Sequence, residues 1–212
     1  MASPERRAGK PHEGAARRQT RSDYLLSRDV MLKAIERLLV DRKDARFSLA
    51  QLAKEAGVST ATAYRHFSDV RQAIEAYYEN LVDELMVEIV AIPRDVSPIE
   101  RFEKACRIWV RHASRWSRAA VYIRSPDGFL ARLKGGDPMV TRIYDVLAPL
   151  TLALMDTGDI ATQRPEFAVL VWETLFDERV ILDLMDGMHW STERIAAELT
   201  QSALCALGHR AD

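Results

Sequence analysis

Leu49–Phe67 reads LAQLAKEAGVSTATAYRHF, and the fold turns on this stretch. Ser48 stands just before it and Gln51 lies three residues on. That is the capping-box spacing, in which a serine hydroxyl and a glutamine amide each accept the other's backbone N–H. Leu49, Leu52, Ala53 and Ala56 then share one face at helical spacing. Ala53 is small enough to let a second helix cross closely. Gly57 supplies the left-handed residue that ends a helix, and Val58 tucks back beneath the pair. Ser59 caps a second helix over Thr60–Phe67, with Ala63 and Phe67 facing inward at i and i+4. Two short helices joined at such a turn make a helix-turn-helix.

The outward face of the second helix is left with Thr60, Ala61, Thr62, Tyr64, Arg65 and His66. Small side chains at its start admit the base edges of a major groove. Hydroxyls, a phenol, an imidazole and a guanidinium suit phosphate oxygens. With Ser48 at the head of the preceding helix, these are the candidate DNA-binding residues. Tyr64 or His66 alone reads equally well as a surface cap. The turn and the serine caps decide for double-stranded DNA.

Charge supports that reading. The 212 residues carry 30 Lys+Arg and 31 Asp+Glu, a net −1, but the balance is uneven. Residues 1–67 hold 14 basic and 8 acidic side chains, a net +6, which leaves −7 for the rest. A basic head on an acidic body places any polyanion at the head. Residues 1–22, with Arg6, Arg7, Lys10, Arg17, Arg18 and Arg21 among small polar residues, are expected to be a disordered basic arm. Such an arm can lie along phosphates or enter a minor groove, or it is an inert tail.

Outward from the motif, a helix is expected over about Asp29–Val40 with Val30, Ala34, Ile35, Leu38 and Leu39 buried. A long helix from Asp69 to about Ile92 follows, burying Ala73, Ile74, Tyr77, Leu81, Leu85 and Ile89. KEAGVSTATAYRHFSD, within this arrangement of helices, resembles the signature of the tetracycline-repressor (TetR) family of bacterial regulators. The resemblance at motif level covers about residues 28–80. It implies a DNA-binding head, an all-helical body and, in this sequence, phosphate contacts from Tyr64 and His66 with base or backbone contacts from Thr60, Ala61 and Thr62. Two positions depart from the pattern: Ala63 where the family commonly has Leu, and Val70 where it commonly has a phosphate-binding Lys or Arg. Arg71 is adjacent but points about 100° away on a helix.

The body begins at the cap Ser97-Pro98. It continues with helices that bury Phe102, Cys106, Trp109, Ala113 and Trp116, and then Met139, Ile143, Val146, Leu147, Leu150 and Leu154. The last two helices are expected over about Pro165–Asp186 and Ser191–Leu207. No strand-like alternation occurs, so the fold class is all-α with about nine helices. The expected organisation is an arm (1–22), a helix-turn-helix domain (23–70) and an effector-binding and dimerisation domain (71–212).

Trp109, His112, Trp116, Tyr122, Phe129, Tyr144, Trp172 and Phe176 crowd the middle of the body and are the candidate effector-binding residues for a hydrophobic or aromatic small molecule. Aromatics at this spacing also make an ordinary core. Leu175, Leu182, Ile195, Leu199, Ala203 and Ala206, on the last two helices, are the candidate dimer interface. A homodimer would set two recognition helices about 34–36 Å apart and imply a roughly palindromic operator. Burial within one chain is the other reading.

No phosphate loop, nucleophile motif or metal-spaced His/Cys cluster is present. No enzyme, cofactor or metal is therefore expected, and His112 lacks a second ligand at i+3 or i+4. Glu173, Asp177 and Asp183 read as a solvated helix face. Cys106 and Cys205 read as buried free thiols. No apolar run approaches the ~20 residues a bilayer requires, and no signal peptide is visible, so a cytoplasmic, non-membrane protein is expected. The alternative to effector control makes the body a protein-interaction or architectural module.

Overall fold

The structure, a computed structural model, describes residues 12–42 and 46–209, with side chains placed over 23–39 and 46–209. Among the described residues it is all-α: ten α-helices and one π-helical turn, with no strand. The head comprises α1 (His12–Arg42), α2 (Leu49–Ala56) and α3 (Thr60–His66). The linking helix α4 (Val70–Val90) leads into the body. There, α5 (Pro98–Ile123) is the central helix, packed by α4, α7 (Pro138–Thr157), α9 (Glu178–Leu182) and α10 (Thr192–Ala206). The short α6 (Phe129–Lys134) lies against α7 and α8 (Pro165–Leu175). A π turn over Asp183–Gly187 follows α9.

The helix ends are set by the expected caps. Ser48 and Gln51 form the complete capping box of α2, and Ser59 accepts the Thr62 N–H at the start of α3. Ser97 with Pro98 opens α5, Asp137 with Pro138 opens α7, and Ser191 opens α10. Gly57, at φ 69°, closes α2, and the Val58 N–H reaches back to the Ala53 carbonyl at 2.9 Å. A Cβ would be strained there, because this backbone region is costly for L side chains.

Three elements differ from expectation. First, α1 begins at His12, seventeen residues ahead of Asp29. Residues 12–22 are thus helical in backbone, as suits a run of Ala, Arg and Gln, while residues 1–11 and the side chains of Arg17, Arg18 and Arg21 lie outside the described residues. Its buried face is Met31, Leu32, Ala34, Ile35, Leu38 and Leu39, and Val30 is exposed. Second, the helix expected over 165–186 breaks after Leu175. Asp177 accepts the Arg179 N–H and so starts α9 as its N-cap. Third, α7 has the length and composition of a membrane span. Its Val140, Ile143, Leu147, Leu150 and Leu154 are buried and its Arg142 pairs with Asp83 of α4 at 2.6 Å, so here it serves as a core helix. Cys106 is buried as expected, but Cys205 is exposed.

The arginines of α5 are not simply solvated. Arg115 bridges Glu36 of α1 and Glu84 of α4, Arg111 pairs with Glu88, and Arg118 reaches Asp186 at 2.7 Å. The body is therefore tied by charge to both α1 and α4.

Candidate nucleic-acid interface and body cavity

On α3, Ala63 and Phe67 are fully buried and seat the helix on the head. Thr60, Ala61, Tyr64 and Arg65 are exposed and Thr62 is half-buried. Tyr64 is 60% exposed, a high value for an aromatic ring on a small domain. Thr62 is partly committed to the cap, with its hydroxyl 2.9 Å from that of Ser59. Ser48 is exposed, although its hydroxyl is used by the Gln51 N–H. The face the sequence assigned to DNA is thus open at Thr60, Ala61, Tyr64 and Arg65.

His66 does not belong to that face. It is buried at 8% exposure, stacks on Tyr24 of α1 with ring centroids 4.0 Å apart, and sits 2.7 Å from the Ser27 hydroxyl through Nε2. Ser27 Oγ also donates to the Tyr24 carbonyl at 2.9 Å. A hydroxyl carries one hydrogen, so His66 Nε2 is the donor to Ser27, and Nδ1 is left buried without a partner. Burial, reinforced by Arg65 and Arg28, holds the imidazole below its usual pKa and keeps it neutral. The residue braces α3 against α1. The sequence missed this because it started α1 after Tyr24 and Ser27.

Val70 is half-buried, so the head has no cation at that position. Arg71 does not substitute: it pairs with Glu75 at 2.9 Å and donates to the Ile123 carbonyl at 3.2 Å. The second of these bonds fastens the start of α4 to the end of α5.

Beside that junction the body holds a half-open cavity of about 1050 Å³. It is walled by Glu75, Tyr78 and Glu79 of α4, Trp109 and Ile123 of α5, Phe129 and Arg132 of α6, Ile143 of α7, Leu170 and Glu173 of α8, then Phe176, Asp177 and Glu178. The volume is at the upper end of ordinary small-molecule sites. Of the eight aromatic candidates, Trp109, Phe129 and Phe176 line it. Trp116 and Trp172 are core residues at 1% and 0% exposure, Tyr122 is exposed, and Tyr144 is half-buried away from the lining. His112 is buried on another side of α5, where Nε2 meets Glu88 at 3.3 Å. Its pKa is lowered chiefly by burial, although Glu88 opposes the shift.

The cavity is more acidic than its aromatic content suggested. Glu173 is not on a solvated face: its Oε1 is sealed from solvent with no hydrogen-bonding partner. Burial, with Glu178 nearby, pushes this carboxyl up to about 8. Glu178 is raised as well, again mainly by burial. Asp177 stays below its usual range because Arg124 and Arg179 bond to it, overcoming its own burial. No group of three or more potential metal-ligating side chains occurs among the described residues.

The candidate dimer residues divide. Ile195, Leu199 and Ala203 are buried within the chain, because the inner face of α10 packs on α5 and α8. Leu175 and Leu182 are half-buried and Ala206 is exposed.

Comparison with known proteins agrees with this geometry. The profile of the tetR family of bacterial regulatory proteins matches residues 31–76. Two HTH-type transcriptional regulators of Mycobacterium tuberculosis, both uncharacterised, are 40% identical over 81 residues, 36% of this chain and 38% of theirs. The chain thus covers little more than a third of the curated relatives it matches. Among solved structures, the fatty acid degradation regulator FadR of Bacillus halodurans superposes with a TM-score of 0.68 at 14% identity, over 86% of this chain and 97% of that one. A tetR-type regulator from Rhodococcus sp. gives 0.63 at 19%, over 86% and 98%. RolR in complex with resorcinol gives 0.58 at 16%, over 89% and 91%. At such identities these three show the shared fold.

Proposed function

The chain belongs to the tetR family of bacterial regulatory proteins, and on that premise we propose that it is a homodimeric repressor released from a roughly palindromic operator by a small molecule entering the body cavity. On this reading it is a helix-turn-helix transcriptional regulator. The observation that carries the regulatory reading is the position of the cavity. Glu75, Tyr78 and Glu79 wall it from the first three turns of α4, and α4 begins four residues after α3 ends. A ligand that favours a different α4 position alters the spacing of two heads, provided that it binds that state better.

The aromatic lining supports an effector with an apolar or aromatic body, and RolR is a fold relative that holds resorcinol. Dimerisation is supported by the faces α8 and α10 leave outward: half-buried Val171 and exposed Phe167, with exposed Ala197, Gln201 and Ala206. A cytoplasmic location goes with this role. The alternative, a body serving as an interaction module with no small-molecule effector, is opposed by the volume of the cavity.

Selecting bound sequences from random double-stranded DNA tests the core of the proposal. Recovered sites with two-fold symmetry about one helical turn apart support it. Recovery of single, unpaired half-sites, or sedimentation as a monomer on DNA, overturns the homodimer.

A further inference from the structure

We propose that the body cavity binds a lipophilic cation, a protonated amine or quaternary ammonium on an apolar aromatic body, with its charge set against Glu173 and Glu178. This deepens the effector reading above and rests on it. Three arginines face the cavity, and each is already matched. Arg124 and Arg179 bond to Asp177 at 2.8 and 3.1 Å, and Arg132 bonds to Asp137 at 2.9 Å. Among the described residues Glu173 has no ion-pair partner, and Glu178 has only the Tyr78 hydroxyl, at a long 3.5 Å. The charge left over on the wall is negative.

Glu173 Oε1 is the decisive atom. It is sealed from solvent and unpaired at the edge of a large cavity. An acceptor atom sealed from solvent without a donor is costly. Burial keeps Glu173 protonated near neutral pH, and a cation is the ligand that draws that proton off and holds the carboxylate. An anionic ligand would meet Glu178 and oppose that ionisation, and a neutral hydrocarbon would leave Oε1 unsatisfied. A cation with an N–H donor satisfies it. A quaternary ammonium neutralises it without a hydrogen bond. The remaining wall suits the rest of such a molecule: Trp109, Phe129 and Phe176 line it and supply aromatic surface, which attracts cations and packs apolar bodies.

The test uses the full chain and three probes with one apolar body: 2-naphthylmethylammonium, 2-naphthylmethanol and 2-naphthoate. Binding is read by calorimetry and operator release by fluorescence anisotropy. The ammonium is expected to bind roughly 10- to 100-fold tighter than the alcohol, the range for a hydrogen bond to a charged group, with the carboxylate weakest. Glu173→Gln should remove most of that preference while leaving the alcohol's affinity within about twofold. Glu178→Gln, a second variant, should reduce the preference less.

Equal binding of the three probes, tighter binding of the carboxylate, no binding of the ammonium, or an unchanged preference in Glu173→Gln overturns the inference. Failure of the effector reading looks different. There the ammonium binds with its charge preference intact and the operator complex does not dissociate.

Discussion

Arg115 of α5 grips Glu36 of α1 through two hydrogen bonds, Nε to Oε1 at 2.8 Å and Nη2 to Oε2 at 3.2 Å, and its Nη1 reaches Glu84 of α4 at 3.2 Å. One guanidinium therefore joins the body, the linking helix and the head. Two-pronged pairing of this kind is stronger and more directional than a single hydrogen bond. Tyr77 of α4 donates to the Arg115 carbonyl at 3.3 Å, which adds a second link at the same place.

Breaking this junction should loosen the head before it unfolds the chain. The Arg115 and Glu36 side chains are 38% and 29% exposed, so the pair is screened and its coupling is modest, about 1 kcal/mol. Glu36→Gln is expected to lower Tm by roughly 2–4 °C. A double-mutant cycle with Arg115→Gln isolates the pair. A coupling energy of zero would make this an inert surface pair.

The corrected interface predicts a division of labour on α3. Arg65→Ala should weaken all DNA sequences alike and reduce the slope of binding against salt by about 0.9 for each phosphate the guanidinium had neutralised. Tyr64→Phe should weaken binding with little change in that slope, because no full charge is removed. Substitutions at Thr60 or Ala61 should change the preferred operator, by roughly 1–3 kcal/mol per altered base pair. Unchanged ranking of operators by Thr60 and Ala61 variants would remove base reading from these residues.

His66 should report on pH through stability rather than through DNA charge. Its folded pKa lies below the ordinary 6.5, first because of burial and then because of Arg65 and Arg28. The unfolded chain therefore takes up a proton as pH falls below about 6.5 while the folded chain does not. Stability from this site is full above that value and is lost on acidification. Thermal melts at pH 7.5 and 5.5 should show a smaller loss for His66→Gln than for the wild type. Equal losses would show that the brace against Tyr24 and Ser27 carries no linkage.

Local chemistry made the head legible in sequence. Ser48, Gln51, Gly57 and Ser59 act over three or four residues, and each performs its expected part. The same holds for Pro98 in the body. Burial produced by distant elements could not be read that way. Glu173 resembled a solvated residue because nothing near it in sequence says that it faces a cavity walled also by α4, α5 and α6. His66 was misplaced for a related reason, since the cover comes from Tyr24 and Ser27, thirty-nine or more residues away. The break before α9 did carry a signal. Asp177 followed by Glu178 is an N-cap with an acidic first turn, but no glycine or proline drew attention to it.

The buried carboxyl should impose a pH dependence of the opposite sign to that of His66. Glu173 is raised from 4.5 to about 8 by its burial and by Glu178. Between those values the folded chain keeps a proton that the unfolded chain has shed, so stability falls as pH climbs through this window. Glu173→Gln retains the shape and cannot ionise. Its melting temperature should match the wild type near pH 4.5 and exceed it increasingly toward pH 8, by at least about 3 °C there. Glu178→Gln should give part of the same gain, because it removes the nearest negative charge. A Glu173→Gln variant whose Tm tracks the wild type from pH 5 to 8 would mean that the carboxylate is already neutralised within the cavity wall, and the acidic surplus that favours a cationic ligand would be gone with it.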